Sequence, residues 1–130
     1  MIAKVITLKN VPQSVKVAER CIESAKKYGV DVKKFNGITP DTSSTIVTKY
    51  NINTDHFKEV YSRYENALAA FCSHFSLWQE CAKAKTPYVI LEHDAVFKDS
   101  LPNFLLGDIV NLGEPSYGRF NIPNYIGEGE

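Results

Sequence analysis

The tripeptide Glu92-His93-Asp94 puts two carboxylates one residue apart, directly after the apolar run Tyr88-Val89-Ile90-Leu91. Carboxylates held close together repel, and keeping both ionised requires a cation or hydrogen-bond donors. A divalent ion is the simplest compensation. Hard oxygen ligands favour Mg2+, Mn2+ or Ca2+ over Zn2+, and magnesium-type sites use one or two carboxylates and complete their shell with water and substrate phosphates. If the backbone stays extended through Asp94, side chains alternate, so Glu92 and Asp94 share one side and His93 takes the other. Such an acid-x-acid tip fits a metal–diphosphate site. It also fits solvated residues that cap the turn into the next element.

The elements that must position this tip are legible from periodicity. Ile2 to Leu8 is short, apolar and β-branched, which predicts a strand. Proline is tolerated in the first turn of a helix, and after Pro12 the residues Val15, Ala18, Ile22 and Ala25 continue a face begun by Val11. Gly29 is the expected stop, and Val30 to Phe35 the second strand. Strand, helix, strand in this order predicts a parallel pair with a right-handed crossover. Asn36 to Thr45 reads as loop, and Ile46 to Tyr64 as one or two short helices.

Ala67 to Ala84 carries the strongest helical pattern. Leu68, Phe71, Phe75, Trp78 and Ala82 form one stripe; Ala67, Ala70, His74, Leu77 and Cys81 form its neighbour. At about 100° per residue they cover half the helix surface, leaving Ser73, Ser76, Gln79, Glu80 and Lys83 on the polar half. Trp78 is expected in the core. Tyr88 to Leu91, apolar throughout, reads as a central parallel strand covered on both faces. Asp99 to Leu106 is expected as a short helix and Asp108 to Leu112 as a further strand. The fold class is therefore α/β, an open, mostly parallel sheet with helices on both faces, over residues 1–113, followed by an irregular Gly/Pro-rich tail over 114–130. Ligands of such sheets bind beyond the carboxyl ends of the strands, where Glu92 and Asp94 lie.

Composition narrows the classes of function. Of the 130 residues, 44% are apolar and 23% charged, as in ordinary globular domains. Fifteen basic residues balance fifteen acidic ones, which argues against a nucleic-acid partner recognised through its backbone. No apolar run approaches the roughly 20 residues of a transmembrane helix. The opening MIAKVITLKN is too short and strand-like for a signal peptide. Cys21, Cys72 and Cys81 have no metal-like spacing and read as reduced core thiols, consistent with a cytoplasmic location.

Further residues make the reading more specific. Ser73-His74 and Leu77-Trp78 on the long helix are followed by Pro87, Val89 to Leu91, then Glu92 and Asp94. This stretch resembles glycosyltransferase family 25, the family of lipopolysaccharide and collagen galactosyltransferases. Its members carry a helix of the type Gly-Cys-x-x-Ser-His-x-x-x-Trp, a short turn, and a strand ending in Glu-Asp-Asp. VITLKN resembles the family's first strand and Phe35 to Ile38 the segment after its second, so the likeness spans most of residues 2–112. The chain departs from the pattern at Ala69-Ala70 for Gly-Cys, at Lys9-Asn10 for Lys-Arg, and at His93 for the middle acid.

The resemblance implies a GT-A fold and transfer of a hexose, galactose or glucose, from a UDP-sugar to an acceptor hydroxyl, in lipopolysaccharide biosynthesis or a related pathway. It implies Mn2+ or Mg2+ as cofactor, held by Asp94 and Glu92, with Asp94 the nearer ligand. Thr7, Leu8 and Lys9 would lie near the nucleotide. No general base is nominated. GT-A domains are usually longer than this chain, so the sequence is expected to represent the nucleotide-sugar half, with exposed apolar surface and an open sheet edge favouring a homo-oligomer. Rival readings are a non-catalytic relic that kept the fold, and a metal-dependent phosphohydrolase using the same acids.

Other residues take plainer roles. His74 reads as a core histidine bonded to a backbone carbonyl, or as support behind the nucleotide pocket. Ser73 lacks the glycine-flanked elbow of a nucleophile. Asp41 is a turn or helix-cap residue, and His56, Lys58, Glu59 and Arg63 a solvated helix face. Lys9 is a surface lysine or a phosphate partner.

Overall fold

Alternation governs the first element. In β1, Ile2–Thr7, residues alternate between half-buried and buried. The computed structural model of the protein describes residues 1–57, 63–103 and 107–113. In chain order the elements are β1, α1 (Pro12–Lys26), β2 (Val32–Asn36), α2 (Pro40–Tyr50), α3 (Tyr64–Ala84) and β3 (Tyr88–Glu92). The chain divides into two units, Met1–Ser100 and Leu101–Glu130.

In the first unit, β2 and β3 both pair with β1 in parallel, in the order β2-β1-β3. The register sets Ala3 beside Val32 and Val89, and Val5 beside Leu91. This face buries Ala3, Val5 and Val32 against Ala18, Cys21 and Ala25 of α1, with Val89 and Leu91 packed at the margin. The other face meets α3, where Glu80 binds the ammonium of Lys4 at 2.8 Å and accepts the Tyr88 hydroxyl at 3.4 Å. The expected open α/β arrangement is therefore present as three parallel strands between helices.

Local chemistry accounts for the helix limits. Pro12 opens α1, and Gly29, at φ 72°, closes it. The amides of Gly29 and Val30 turn back to the carbonyls of Lys26 and Ala25, the Schellman pattern that left-handed glycine permits. Pro40 opens α2, while the Thr39 amide donates to Thr42 Oγ1 at 3.1 Å, one half of a capping box. α2 therefore begins inside the stretch expected to be loop, and its cap is Thr39 rather than Asp41. The composition of Asn36 to Thr45 reflected capping and turn residues, which flank helices as readily as they fill loops.

Other expectations are also corrected. β3 is an edge strand among the described residues, half-buried rather than covered on both faces; β1 is the central strand. Trp78 is 44% exposed. α3 turns Leu68, Ala69, Cys72, Ser73 and Leu77 inward, so Ser73 is buried although the stripes placed it on the polar half. The larger rings form an outer row instead: Phe71 meets Phe75 at 5.9 Å and Trp78 at 6.0 Å, and Tyr50 of α2 meets Phe75 at 4.9 Å. The inward residues Cys72 and Ser73 meet the Ser43 carbonyl of α2 and the Ile38 amide after β2. His56 lies in a turn, not on a helix; residues 58–62 are outside the described residues.

Residues 99–103 form no helix, and 104–106 lie outside the described set. Asp108 to Leu112, expected as a strand, runs through bends in the second unit, with Ile109 86% exposed. The tail at 114–130 lies outside the described residues. Cys21, Cys72 and Cys81 are free, the first two fully buried. Among the described residues no helix is long and apolar enough to cross a membrane.

Candidate functional site

Three buried serines hold the segments that leave the strands, Ser14 and Ser73 at the carboxyl end of the sheet and Ser24 farther along α1. Each accepts a backbone N–H from the segment leaving one strand. Ser14 of α1 takes Leu8 after β1 at 2.9 Å, Ser73 of α3 takes Ile38 after β2 at 2.8 Å, and Ser24 of α1 takes Phe97 after β3 at 2.9 Å. A chain leaving a parallel ladder loses its backbone partners, and buried amides need replacements. The serines supply them and fix the strand exits.

Between these exits lies a cavity of about 340 Å³, lined among others by Ile6 and Leu8 of the first exit, Ile38 and Thr39 of the second, Ser73 and His74 of α3, and Glu92 and His93 of the third. Gly37 permits the close approach of the second exit to the first. Its amide donates to the Thr7 carbonyl at 2.9 Å, and a Cβ there would sit 2.9 Å from Leu8 Cδ2 and 3.1 Å from Ile6 Cγ2.

Glu92 faces this cavity from the α3 side of the sheet. Its Oε1 lies 3.4 Å from His74 Nε2. The hydrogen bond from His74 holds the Glu92 carboxyl below its usual range, against the opposing effect of burial and with a lesser contribution from the charge of His74. His74 is therefore bonded to the acid of the tip rather than, as expected, to a backbone carbonyl.

The third residue of the triplet goes elsewhere. β3 ends at Glu92, and the amide of Ala95 returns to the Glu92 carbonyl at 3.0 Å, closing a turn over His93 and Asp94. The alternation that was to put both carboxylates on one side ends with the strand. His93, expected to face away, lines the cavity, its Nδ1 2.7 Å from Ser14 Oγ. Asp94 is exposed and does not line it; its carbonyl accepts Arg20 of α1 at 3.3 Å. α1 holds the following segment too, through Ser24 to Phe97 and the Tyr28 hydroxyl to the Lys98 carbonyl at 2.7 Å. Arg20, Ser24 and Tyr28 recur every four residues, so one ridge draws residues 94–98 to the α1 face.

The remaining nominated residues separate. Leu8 lines the cavity. Thr7 is buried, with its hydroxyl on the Val5 carbonyl at 3.2 Å, and Lys9 is exposed and outside the lining. Ser14, Ile38, Ser73 and His93 were missed as site formers. A serine inside an otherwise apolar helix face was the available signal for two of them. No group of three His, Cys, Asp or Glu able to hold a metal occurs among the described residues.

Residues 4–111 match the model of a family described as glycosyltransferase family 25 (LPS biosynthesis protein). No curated protein matches the chain.

Proposed function

The chain belongs to glycosyltransferase family 25, enzymes that move a sugar from a donor to an acceptor, and from that premise we propose that its cavity binds the diphosphate of a UDP-hexose, galactose or glucose, for transfer to an acceptor hydroxyl. The observation that carries this reading is the cavity at the carboxyl ends of parallel strands with ionised Glu92 at its edge. In it, Leu8 and Ile38 offer apolar walls to the nucleoside, and His74 keeps Glu92 charged and oriented.

A divalent ion, Mn2+ or Mg2+, belongs to the same reading. One oxygen of Glu92 meets His74, which leaves Oε2 for a hard cation. Since no three-residue cluster occurs among the described residues, such an ion would draw its other ligands from water and the donor's phosphates, as magnesium-type sites do. The ion would supply Lewis-acid stabilisation to the departing diphosphate. Glu92 is the carboxylate that the cavity presents; Asp94, two residues on, is the second proposed ligand.

Calorimetry with UDP, with and without Mn2+, tests this. Wild type is expected to bind UDP more tightly with Mn2+ than in chelator, and Glu92→Gln to lose that difference. Asp94→Asn measures whether the second carboxylate takes part. Equal affinities in Mn2+ and chelator would remove the metal, and no UDP binding in either would remove the whole reading.

A further inference from the structure

The hydroxyl of Ser14 is 1% exposed and has two partners among the described residues, the Leu8 amide and His93 Nδ1. An amide can only donate. The hydroxyl hydrogen therefore has one acceptor available, and that is Nδ1. Were Nδ1 protonated, Ser14 would receive two hydrogens and bury its own without an acceptor, an arrangement that costs free energy. A ring nitrogen that accepts at Nδ1 carries its proton on Nε2 when neutral. The ring lines the cavity, and Nε2 has no protein partner among the described residues.

We propose that His93 is a substrate-binding residue whose Nε2–H, oriented by the Ser14 contact at Nδ1, bonds a phosphate oxygen of the donor's diphosphate. This rests on the nucleotide-sugar reading above. The chemistry favours an anionic oxygen over a sugar hydroxyl for two reasons. A fixed donor gains most from a charged acceptor. And an imidazole at the middle of the triplet, where the family pattern has an acid, removes one negative charge from a site already holding the Glu92 carboxylate. Ser14 is then a positioning residue, acting through the tautomer it selects.

Nitrogen NMR of the imidazoles and calorimetry with UDP test the proposal. The wild-type protein should show His93 as the Nε2–H tautomer, and Ser14→Ala should turn it into a mixture of tautomers, a change that a merely structural role would not produce. Addition of UDP should shift the Nε2 resonance; uridine, without phosphate, should not. His93→Gln, whose amide nitrogen replaces Nε2, should bind UDP about as tightly as wild type, while His93→Phe, a ring without a donor, should bind about tenfold or more weakly. A wild-type ring protonated at Nδ1, or full UDP affinity in His93→Phe, would overturn the assignment and leave the nucleotide-sugar reading standing. Failure of the wild type to bind UDP would overturn both.

Discussion

Glu92 shows how one residue's chemistry depends on its neighbours. Its carboxyl is depressed first by the hydrogen bond from His74, opposed next by burial, with a lesser lowering from the charge of His74. Because the folded-state pKa lies below the unfolded one, the resulting stabilisation is complete above the ordinary carboxylate range and is lost as pH falls through the depressed value. The side chain is 68% exposed, so solvent screening keeps this contribution small. The readout is therefore the titration itself. A carbon-detected titration of Glu92 should show a midpoint below the usual glutamate range, and His74→Ala should move it upward. An unmoved midpoint would show that His74 does not set the charge of the cavity acid. The adjacent His93 was expected from sequence to face away, because alternation was extended past Glu92, where the strand ends.

At the scale of elements, buried serines and one helix ridge hold the strand exits. Ser73 is the clearest case. Its Oγ accepts the Ile38 amide at 2.8 Å and donates to the Ala69 carbonyl at 3.0 Å, tying α3 to the segment after β2. Ser73→Ala should strand the Ile38 amide and cost about 1–3 kcal/mol. Urea unfolding should show this as a lower midpoint with unchanged slope, and UDP affinity should fall as Ile38 loosens. A neutral substitution would mean that water satisfies the amide equally well. The helical stripes located α3 correctly but misjudged its rotation. They ranked Trp78 and Phe75 above Ser73 for burial, whereas the side of α3 that meets α2 and the segment after β2 carries the small residues Cys72 and Ser73. The family pattern had marked Ser73-His74, and the structure supplies a physical use for both: one ties a loop, the other an acid.

At the scale of the whole molecule, apolar surface remains to be covered. Trp78 is 44% exposed at the edge of an aromatic row, and β3 has a partner on one side only among the described residues. Open strand edges and aromatic patches favour association. Light scattering at micromolar concentration should give a mass above that of one chain, and Trp78→Gln should lower it. A single monomeric species for the wild type would count against this. The sequence pointed to the same outcome from another premise, an incomplete sheet. The edge position of β3 was not legible, because a run such as Tyr88 to Leu91 reads alike in a central strand and in a half-covered edge strand.

Local patterns were enough to settle the parallel strand–helix–strand unit, the long helix with the strand that follows it, the α/β class and the family. Each depends on periodicity, on stop signals such as Gly29, or on residue types at close spacing, and none needs a distant contact. Which triplet residues meet the cavity was decided only in three dimensions. Arg20, Ser24 and Tyr28 lie some 70 residues from the backbone groups they bind, and together with the turn after Glu92 they draw Asp94 toward α1 while Ser14 keeps His93 at the cavity. No rule of strand alternation can carry that information, because it resides in the hydrogen bonds of another element.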